Sequence, residues 1–591
     1  MFSGVYLNRD TSKLMIAERL EDGSRRIMET PLVLEYYVPD SRGKYVGIDG
    51  VVLRKIAVKN LRQFYQVKKE EAAKKKEDPN YRTYGLDANI THQTMYKFYK
   101  QNYGECPTPE LHKSFFDIEV DLGNEKGVSI AELIEKGHKP INAISIYNNW
   151  EQKLYTAALY PPTLEKEEAD AIIADYPDAL MFDDEKKLIK QFIQWFSDAD
   201  IEVGWNSGRF DIPFIIQRIK TLFADEGEYA VNEVLESLSP FLALPQGKEK
   251  TTEFGDKYTE YDIPGVWLAD MMVIYKKHTT HEHESYKLDN IADEELGERK
   301  VAYEGTLDDL FRDDFKTFID YNRQDTMLVY KLDKKTNYLN LHNMQAHELM
   351  IPLDVTMGTV GWFSQAVINY AKDHDQIVPD RWEARQAQWE GIKAPGAFVQ
   401  NPVPGLHQWV SDMDMTSLYP SVIRCLNMSP ETIVGQMRLE YTLPYLRDKI
   451  IKNGLWEKMA KRIPNWAKAW SGDEMFGTLE YRLIMKKSDA VITCDYEDGK
   501  VYKMTGAQWY DFIFNQGNQI CISAFGTLYR TDIEGIVPAL LTKWFGERKA
   551  YKKKMKAYED MLDGVELPPD FDRGALEDEL QKLGAGMDNR I

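Results

Sequence analysis

Cysteine is scarce. Four residues (Cys106, Cys425, Cys494 and Cys521) are scattered through 591 positions with no Cys-x-x-Cys pair. That spacing argues against a zinc ribbon or a disulfide framework and fits a reducing compartment. No run of about 18 apolar residues offers a bilayer-crossing helix, and the first residues lack the pattern of an export signal. Internal repeats and low-complexity linkers are also missing. The nearest approach is the charged stretch Lys68 to Glu77, which reads as a helix with a solvated face. Positive charge is in deficit: the formal net charge is −21. This argues against a generally basic DNA coat, but leaves room for an enzyme with a local basic channel and acidic metal sites. What is present is ordinary for a multidomain globular protein, 43% hydrophobic and 29% charged, with apolar material for more than one core.

Cys106-Pro-Thr-Pro109 breaks the chain before a new pattern begins. After it come a strand (Phe115 to Val120), a hairpin (Ile141 to Tyr147, then Leu154 to Leu159), a helix (Glu185 to Phe196), a strand (Ile201 to Trp205) and a helix from about Pro213. This order matches the opening of a ribonuclease-H-like α/β domain. A single long helix, Leu307 to Leu332, is expected to close that domain. A strand from about Gln408 to Met413 then leads to Asp414. Pro538 to Tyr558 and Ala575 to Leu583 read as helices.

Chemistry-bearing residues cluster in four places. Asp117-Ile-Glu119 puts two carboxylates on one face of a strand. Asn206-Ser-Gly-Arg-Phe210-Asp211-Ile-Pro213 places a carboxylate where a turn enters a helix. Tyr321 and Asp325, four apart, share a helix face. Asp414-Met-Thr-Ser-Leu-Tyr-Pro-Ser421 ends a strand in a carboxylate and turns at once. Its acid suits Mg²⁺, and the backbone N–H groups of its turn suit a triphosphate. Two-metal phosphoryl transfer needs a second bridging carboxylate, yet no Asp-Thr-Asp follows Asp414. His278, His281 and His283 lie among polar residues and read as a solvated loop; Asp412 reads as a bystander.

Taken in this order, the first three groups resemble the exonuclease motifs of family B DNA polymerases: Asp-x-Glu, Asn-x3-Phe-Asp-x-Pro and Tyr-x3-Asp. Ser285-Tyr-Lys-Leu-Asp289 fits that family's linker between the second and third motifs. Asp414 to Thr432 is similar to motif A of the T-even bacteriophage replicative polymerases. The resemblance implies a 3′→5′ proofreading exonuclease in which Asp117, Glu119, Asp211 and Asp325 hold two Mg²⁺ or Mn²⁺ ions. Tyr321 would orient the attacking water, and Asn206 and Phe210 would support the single-stranded 3′ end. At the polymerase site, where two cations are again implied, Asp414 and the Met415 carbonyl would be metal ligands. Ser417, Leu418 and Tyr419 would hold phosphate oxygens, with Tyr419 also excluding a ribose 2′-OH. Arg548 and Lys552, one helical turn apart, would clamp the triphosphate, and Gly396 and Phe398 would contact template.

The expected fold class is α/β and α+β multidomain: a ribonuclease-H-like exonuclease domain plus partial palm and partial fingers. Residues 1–105 form an N-terminal domain to which 340–385 return. Residues 106–339 form the exonuclease domain, 386–533 a partial palm with an insertion at about 443–487, and 534–591 the first part of fingers. In the phage enzymes a stretch similar to Ala585-Gly-Met587 runs into a second fingers helix, then the Asp-Thr-Asp hairpin and thumb. The expectation is therefore the N-terminal subunit of a split DNA polymerase, completed by a second polypeptide. It would act on primer-template DNA, single-stranded DNA and dNTPs in the cytoplasm of an infected bacterium, and meet a sliding clamp through its partner. A stand-alone 3′→5′ exonuclease and a non-catalytic DNA-binding scaffold are the alternatives.

Overall fold

In a computed structural model, residues 1–381, 403–438 and 491–564 are described, apart from 79, 122–129, 252–254, 256, 280, 414, 416 and 524–525, together with a few positions between 451 and 461. Short strands with one apolar face open the chain. β1 (Phe2–Asn8), β2 (Lys13–Arg19) and β3 (Arg25–Pro31) form one antiparallel sheet, while β4 (Glu35–Pro39), β5 (Tyr45–Gly47) and β6 (Val52–Ala57) contribute to a second. Two helices follow, α1 (Leu61–Glu77) and α2 (Ile90–Tyr103). Asn60 and Asn89 start them by accepting hydrogen bonds from otherwise unpaired N–H groups of the first turn. The charged face of α1 is not wholly solvated, contrary to the sequence expectation. Glu71 and Lys75 are buried, because Tyr81 Oη (2.6 Å) and Tyr36 Oη (3.3 Å) donate to the Glu71 carboxylate.

The next sheet is built from runs that are apolar on both faces, as a sheet covered on both sides requires. Its strands are β7 (Lys113–Val120), β8 (Ile141–Asn148), β9 (Lys153–Leu159), β10 (Ala179–Phe182), β11 (Ile201–Gly204) and, after an exposed hairpin of β12 (Gln246–Thr251) and β13 (Lys257–Asp262), β14 (Trp267–Asp270). The order is β10-β9-β8-β7-β11-β14, with β7-β8-β9 antiparallel and β11 parallel to β7 and β14. Its helices are α3 (Ile130–Lys136), α4 (Lys166–Ile173), α5 (Glu185–Phe196), α6 (Asp211–Leu222), α7 (Glu228–Glu236), α8 (Met271–His278), α9 (Leu288–Leu296), α10 (Leu307–Asp313) and α11 (Phe315–Thr336). Even-numbered residues of β7 (Phe116, Ile118) enter a core with Phe192 and Phe214. The odd-numbered ones face α11, which packs on β7 and β8. The single helix expected over Leu307 to Leu332 is two, because the Asp314 side chain accepts from Thr317 N and starts a new helix there.

The chain continues through α12 (Tyr338–Leu349) and α13 (Thr359–Asp373) to β15 (Gln376–Ile377), which pairs in parallel with β5. Beyond residue 403 come α14 (Leu418–Cys425), β16 (Ile433–Met437), β17 (Val491–Tyr496), β18 (Val501–Thr505), α15 (Gly506–Phe514), β19 (Ile520–Ile522), β20 (Thr527–Arg530) and α16 (Ile536–Gly564). The last sheet has the order β18-β17-β16-β20-β19. Trp509 of α15 is fully buried against it, its indole donating to Ile492 O at 3.0 Å. Ile536, Leu540 and Trp544 at the root of α16 pack on Trp362 and Phe363 of α13. The expected strand from Gln408 to Met413 is not formed: these residues are irregular and exposed. No strand among the described residues pairs with them, and a strand without ladder partners has nothing to hold it extended. The expected helix Ala575 to Leu583 and the 443–487 insertion lie outside the described residues, save isolated positions of the latter.

Asp200 joins the first sheet to the large one. Its side chain is fully buried, accepting from Arg19 Nε (2.8 Å), Arg25 (3.1 Å) and His112 N (3.0 Å). Removing one member of a buried charge network leaves the others uncompensated. Asp200→Asn is expected to cost about 3–5 kcal/mol, seen as a lowered urea midpoint with unchanged slope.

Candidate nuclease active site

Two elements bring the acids together. Along β7 the side chains of Asp117 and Glu119 emerge on the α11 side, and a bulge between Glu119 and Val120 ends the regular pairing. On α11, Asp325 and Tyr321 sit one turn apart. Carboxylate oxygens of Asp117, Glu119 and Asp325 lie within 4.8 Å of one another. Asp211, in the first turn of α6, is buried too but stands outside that group. It still raises the carboxyls of Asp117 and Glu119 electrostatically.

Burial, followed by mutual repulsion, shifts these groups. Asp117 is held well above the usual carboxylate range by desolvation, then by Glu119, Asp325 and Asp211. Glu119 is pushed up to about 8 and Asp211 to about 7, desolvation leading in both. Asp325 is also raised by burial, against the pull of Lys300.

Lys300 and Asn322 are residues that the sequence reading missed. The Lys300 ammonium pairs with Asp325 Oδ2 and donates to Tyr321 Oη at 3.0 Å. Those carboxylates hold its ammonium far above the normal lysine range, despite burial. It lies past the end of α9, twenty-five positions from Asp325, so no local periodicity marked it. Asn322, fully buried beside Tyr321, donates from Nδ2 to Asp117 Oδ2 at 3.0 Å and to its carbonyl at 3.2 Å. The Tyr303 ring meets Tyr321 edge-on at 5.3 Å.

The second-motif loop is held by another missed residue, Asp270. Its carboxylate accepts from Asn206 N at 3.0 Å and Gly208 N at 3.4 Å, and it starts α8 by accepting from Met272 N. A strand ending in an acid just before Met271 was a legible helix start, although its reach to the β11 loop was not. Asn206 takes a left-handed conformation (φ 62°), which Asn tolerates better than most residues. A Cβ at Gly204 would come within 2.5 Å of Ser207 Cβ, so only glycine fits there. Phe210 stacks on Phe214 at 5.8 Å.

The donors fit a hard divalent cation. They are carboxylate oxygens, as Mg²⁺ and Mn²⁺ prefer, and Asp325 Oδ1 is buried with no hydrogen-bond partner. The histidine cluster offers no such set. His278 is in α8 and its Nε2 contacts His342 Nε2 at 2.9 Å; His283 meets Tyr275 Oη at 3.2 Å. Both side chains are partly buried by packing with α12 and α9, so the solvated-loop reading holds for His281 alone.

In the second constellation, Asp414, Gly396 and Phe398 lie outside the described residues. Met415 and Tyr419 are 67% and 68% exposed, and Ser417 precedes α14 in a left-handed conformation. No residue of α14 is buried. It rests on α16 through Arg424, whose Nε donates to Thr542 Oγ1 at 3.1 Å and whose guanidinium lies 4.9 Å from the Phe545 ring centre. Arg548 and Lys552 lie further along α16; Lys552 is exposed, and Arg548 Nε is buried without a partner among the described residues.

A mixed sheet with this strand order, an acid pair on its central strand and a third acid on the packed helix define a ribonuclease-H-like exonuclease fold. Residues 52–291 match the DNA polymerase family B exonuclease domain, and residues 358–463 match DNA polymerase family B. The chain belongs to DNA polymerase family B, with an exonuclease domain and part of a polymerase domain. It is 27% identical over 347 residues to the DNA-directed DNA polymerase of Escherichia phage RB69, covering 55% of this chain and 36% of that protein. To the DNA-directed DNA polymerase of Enterobacteria phage T4 it is 28% identical over 269 residues, 45% and 28% of the two chains. A DNA polymerase of Archaeoglobus fulgidus is 24% identical over 423 residues, 66% and 49%. The matched region spans about a third of the length of the two phage relatives. Tyr321 and Asp325 fall between the two family matches, Asp414 to Tyr419 inside the second, and Arg548 and Lys552 beyond it.

Carboxyls raised by burial bind protons in the folded state that the unfolded chain has released. Between the normal carboxylate range and about pH 8, stability therefore falls as pH rises. In EDTA the melting temperature is expected to drop from pH 6 to pH 8.5. Asp117→Asn/Glu119→Gln should flatten that slope, and Lys300→Met should steepen it. Mg²⁺ should recover stability most at the alkaline end, where the carboxylates are free of protons.

Proposed function

We propose that this chain is the N-terminal subunit of a split, phage-type DNA-directed DNA polymerase, able to proofread 3′→5′ and contributing half of the polymerase site. The observation that carries the nuclease part is the cluster of Asp117, Glu119 and Asp325, the last two buried, with Asp211 close enough to shift Asp117 and Glu119. Asp117, Glu119, Asp211 and Asp325 would hold two divalent cations, Mg²⁺ or Mn²⁺. Such cations activate water and stabilise the leaving 3′ oxygen of a phosphodiester.

The remaining roles belong to neighbouring side chains. Tyr321 keeps its proton, because burial and then Asp325 hold its phenol far above the usual range. Its oxygen accepts from Lys300 and its side chain hydrogen-bonds to Asp325, so the phenol would stand beside the metal-binding acids, where it could orient the attacking water. Lys300 offsets the charge of the acids, and Asn322 fixes one Asp117 oxygen so that the other faces the centre. Asn206 and Phe210 line the approach of a single-stranded 3′ end, by hydrogen bonding and stacking. Mispaired ends fray more readily and so reach the site first.

The split reading is supported by the segment before α14. Leu406 (93% exposed), Trp409 (99%), Val410 (78%) and Met413 (89%) are large apolar side chains with no covering element among the described residues. Exposed apolar side chains concentrated in one short segment suit an association site. It runs straight to Asp414, which needs a second bridging carboxylate. We assign that carboxylate, with the rest of fingers and thumb, to a second polypeptide that also carries any clamp contact. Asp414 and the Met415 carbonyl would then be metal ligands, Ser417, Leu418 and Tyr419 phosphate contacts, and Arg548 and Lys552 the triphosphate clamp. Gly396 and Phe398 would touch template. Residues 1–105 with 340–385, 106–339, 386–533 and 534–591 are the domains in this reading, and the host cytoplasm its location.

The test has two arms. Purified chain with Mg²⁺ should shorten 3′-labelled single-stranded DNA. Asp117→Ala/Glu119→Ala should lower that rate by at least about 10³-fold, and Asp414→Ala should leave it unchanged. Primer extension should require both a partner polypeptide and Asp414. Extension by the chain alone would overturn the split, and nuclease loss in Asp414→Ala would overturn the separation of the two sites.

A further inference from the structure

A cavity of about 660 Å³ lies between α1, the start of α2, α13 and the segment after β15, away from the acids of the nuclease site. Its walls combine apolar and aromatic side chains, among them Phe64, Tyr37, Leu86 and Ile368, with Lys75, Lys372 and Gln93. A volume in this range is typical of a small-molecule site, and a lining that mixes apolar side chains with seven charged ones suits a ligand that is part apolar and part ionic.

The charges are unbalanced. Three acids line the cavity, and each is committed elsewhere. Glu35 pairs with Lys55 at 3.0 Å and accepts from Tyr37 Oη at 3.1 Å. Asp87 pairs with Lys68 at 3.2 Å. Asp380 accepts from Leu86 N (3.1 Å) and Asp87 N (2.8 Å). Lys75, only 7% exposed, has no carboxylate within ion-pair distance among the described residues; its ammonium donates to the Arg381 carbonyl at 3.4 Å. Lys372 donates to the Gln93 side-chain oxygen and lies 5.3 Å from the Tyr96 ring centre, with no carboxylate in ion-pair distance among the described residues. Gln93 is itself 7% exposed, and its Nε2 donor has no partner. Asp87 and Asp380 attract the Lys75 ammonium and Glu35 that of Lys372, but burying ammonium groups that no carboxylate contacts directly remains costly, and a buried amide donor without a partner among the described residues adds to that cost. Burial pushes Lys372 down to about 8, against the pull of Glu35.

We propose that this cavity is a binding site for a free phosphate monoester with a flat apolar body, the class of a deoxynucleoside monophosphate. Lys75 and Lys372 would neutralise the phosphate, the Gln93 amide would donate to it, and the base would lie among Phe64, Tyr37 and Ile368. That such a molecule is what 3′→5′ hydrolysis releases rests on the function proposed above; the site itself does not.

The test is titration calorimetry on full-length Asp117→Ala/Glu119→Ala protein in EDTA, which removes the nuclease site from the measurement and keeps its failure separate. Deoxyadenosine monophosphate should bind, with deoxyadenosine and inorganic phosphate each at least roughly tenfold weaker, about 1.4 kcal/mol. Lys372→Met or Gln93→Leu should weaken the nucleotide by a similar factor. Lys75→Met should abolish the nucleotide's thermal shift. Equal binding of nucleotide, nucleoside and phosphate, no binding, or affinity unchanged in Lys372→Met and Lys75→Met would each overturn the proposal. So would preference for a 5′-phosphorylated oligonucleotide over the free nucleotide.

Discussion

Three carboxyl groups forced into one poorly solvated corner, with a fourth near enough to shift two of them, govern the architecture around them. Like charges that close cannot all ionise without compensation, and the fold supplies it in three forms. Lys300 brings a cation from the loop after α9, Asn322 a neutral donor from α11, and burial itself retains protons on Glu119 and Asp211. Each depends on a different piece of chain reaching the same place. The sheet, the long helix and the second-motif loop are therefore coupled through electrostatics as much as through their apolar cores.

That coupling separates the two halves of the protein. The acids of the nuclease site come from one sheet and two helices packed on it, and their supporting donors are close by. The segment that carries Asp414 is different. Apolar side chains from Leu406 to Tyr419 are exposed, and α14 buries nothing of its own. Its ties to the molecule are contacts such as those of Arg424 with Thr542 and Phe545 on α16. Since the root of α16 is anchored on α13, the residues expected to clamp a triphosphate are mechanically linked to the N-terminal part of the chain.

Much of the central sheet was legible because its strands are continuous apolar runs bounded by turn residues. Phe115 to Val120, Ile141 to Tyr147 and Glu185 to Phe196 lie within a residue or two of the observed elements. The failures have identifiable causes. One helix was expected from Leu307 to Leu332 because the apolar period persists through Asp314, where a side-chain cap restarts the helix. A solvated face was expected on α1 because charge density outweighed the chance that Tyr36 and Tyr81 would bury Glu71. The strand before Asp414 was read from composition, but a strand exists only where another offers its backbone.

The spacing of Asp117 with Glu119 and of Tyr321 with Asp325 was decided by local geometry, since a strand repeats every two residues and a helix returns after four. Such periodicity is written into the chain and can be read from it. The meeting of β7 with α11, the arrival of Lys300 at Asp325, the grip of Asp270 on the Asn206 loop, and the gathering of Lys75 and Lys372 over the N-terminal cavity join positions far apart in sequence. These depended on tertiary packing, because the energy of a charge is set by whatever the fold brings beside it and by how much water the fold removes.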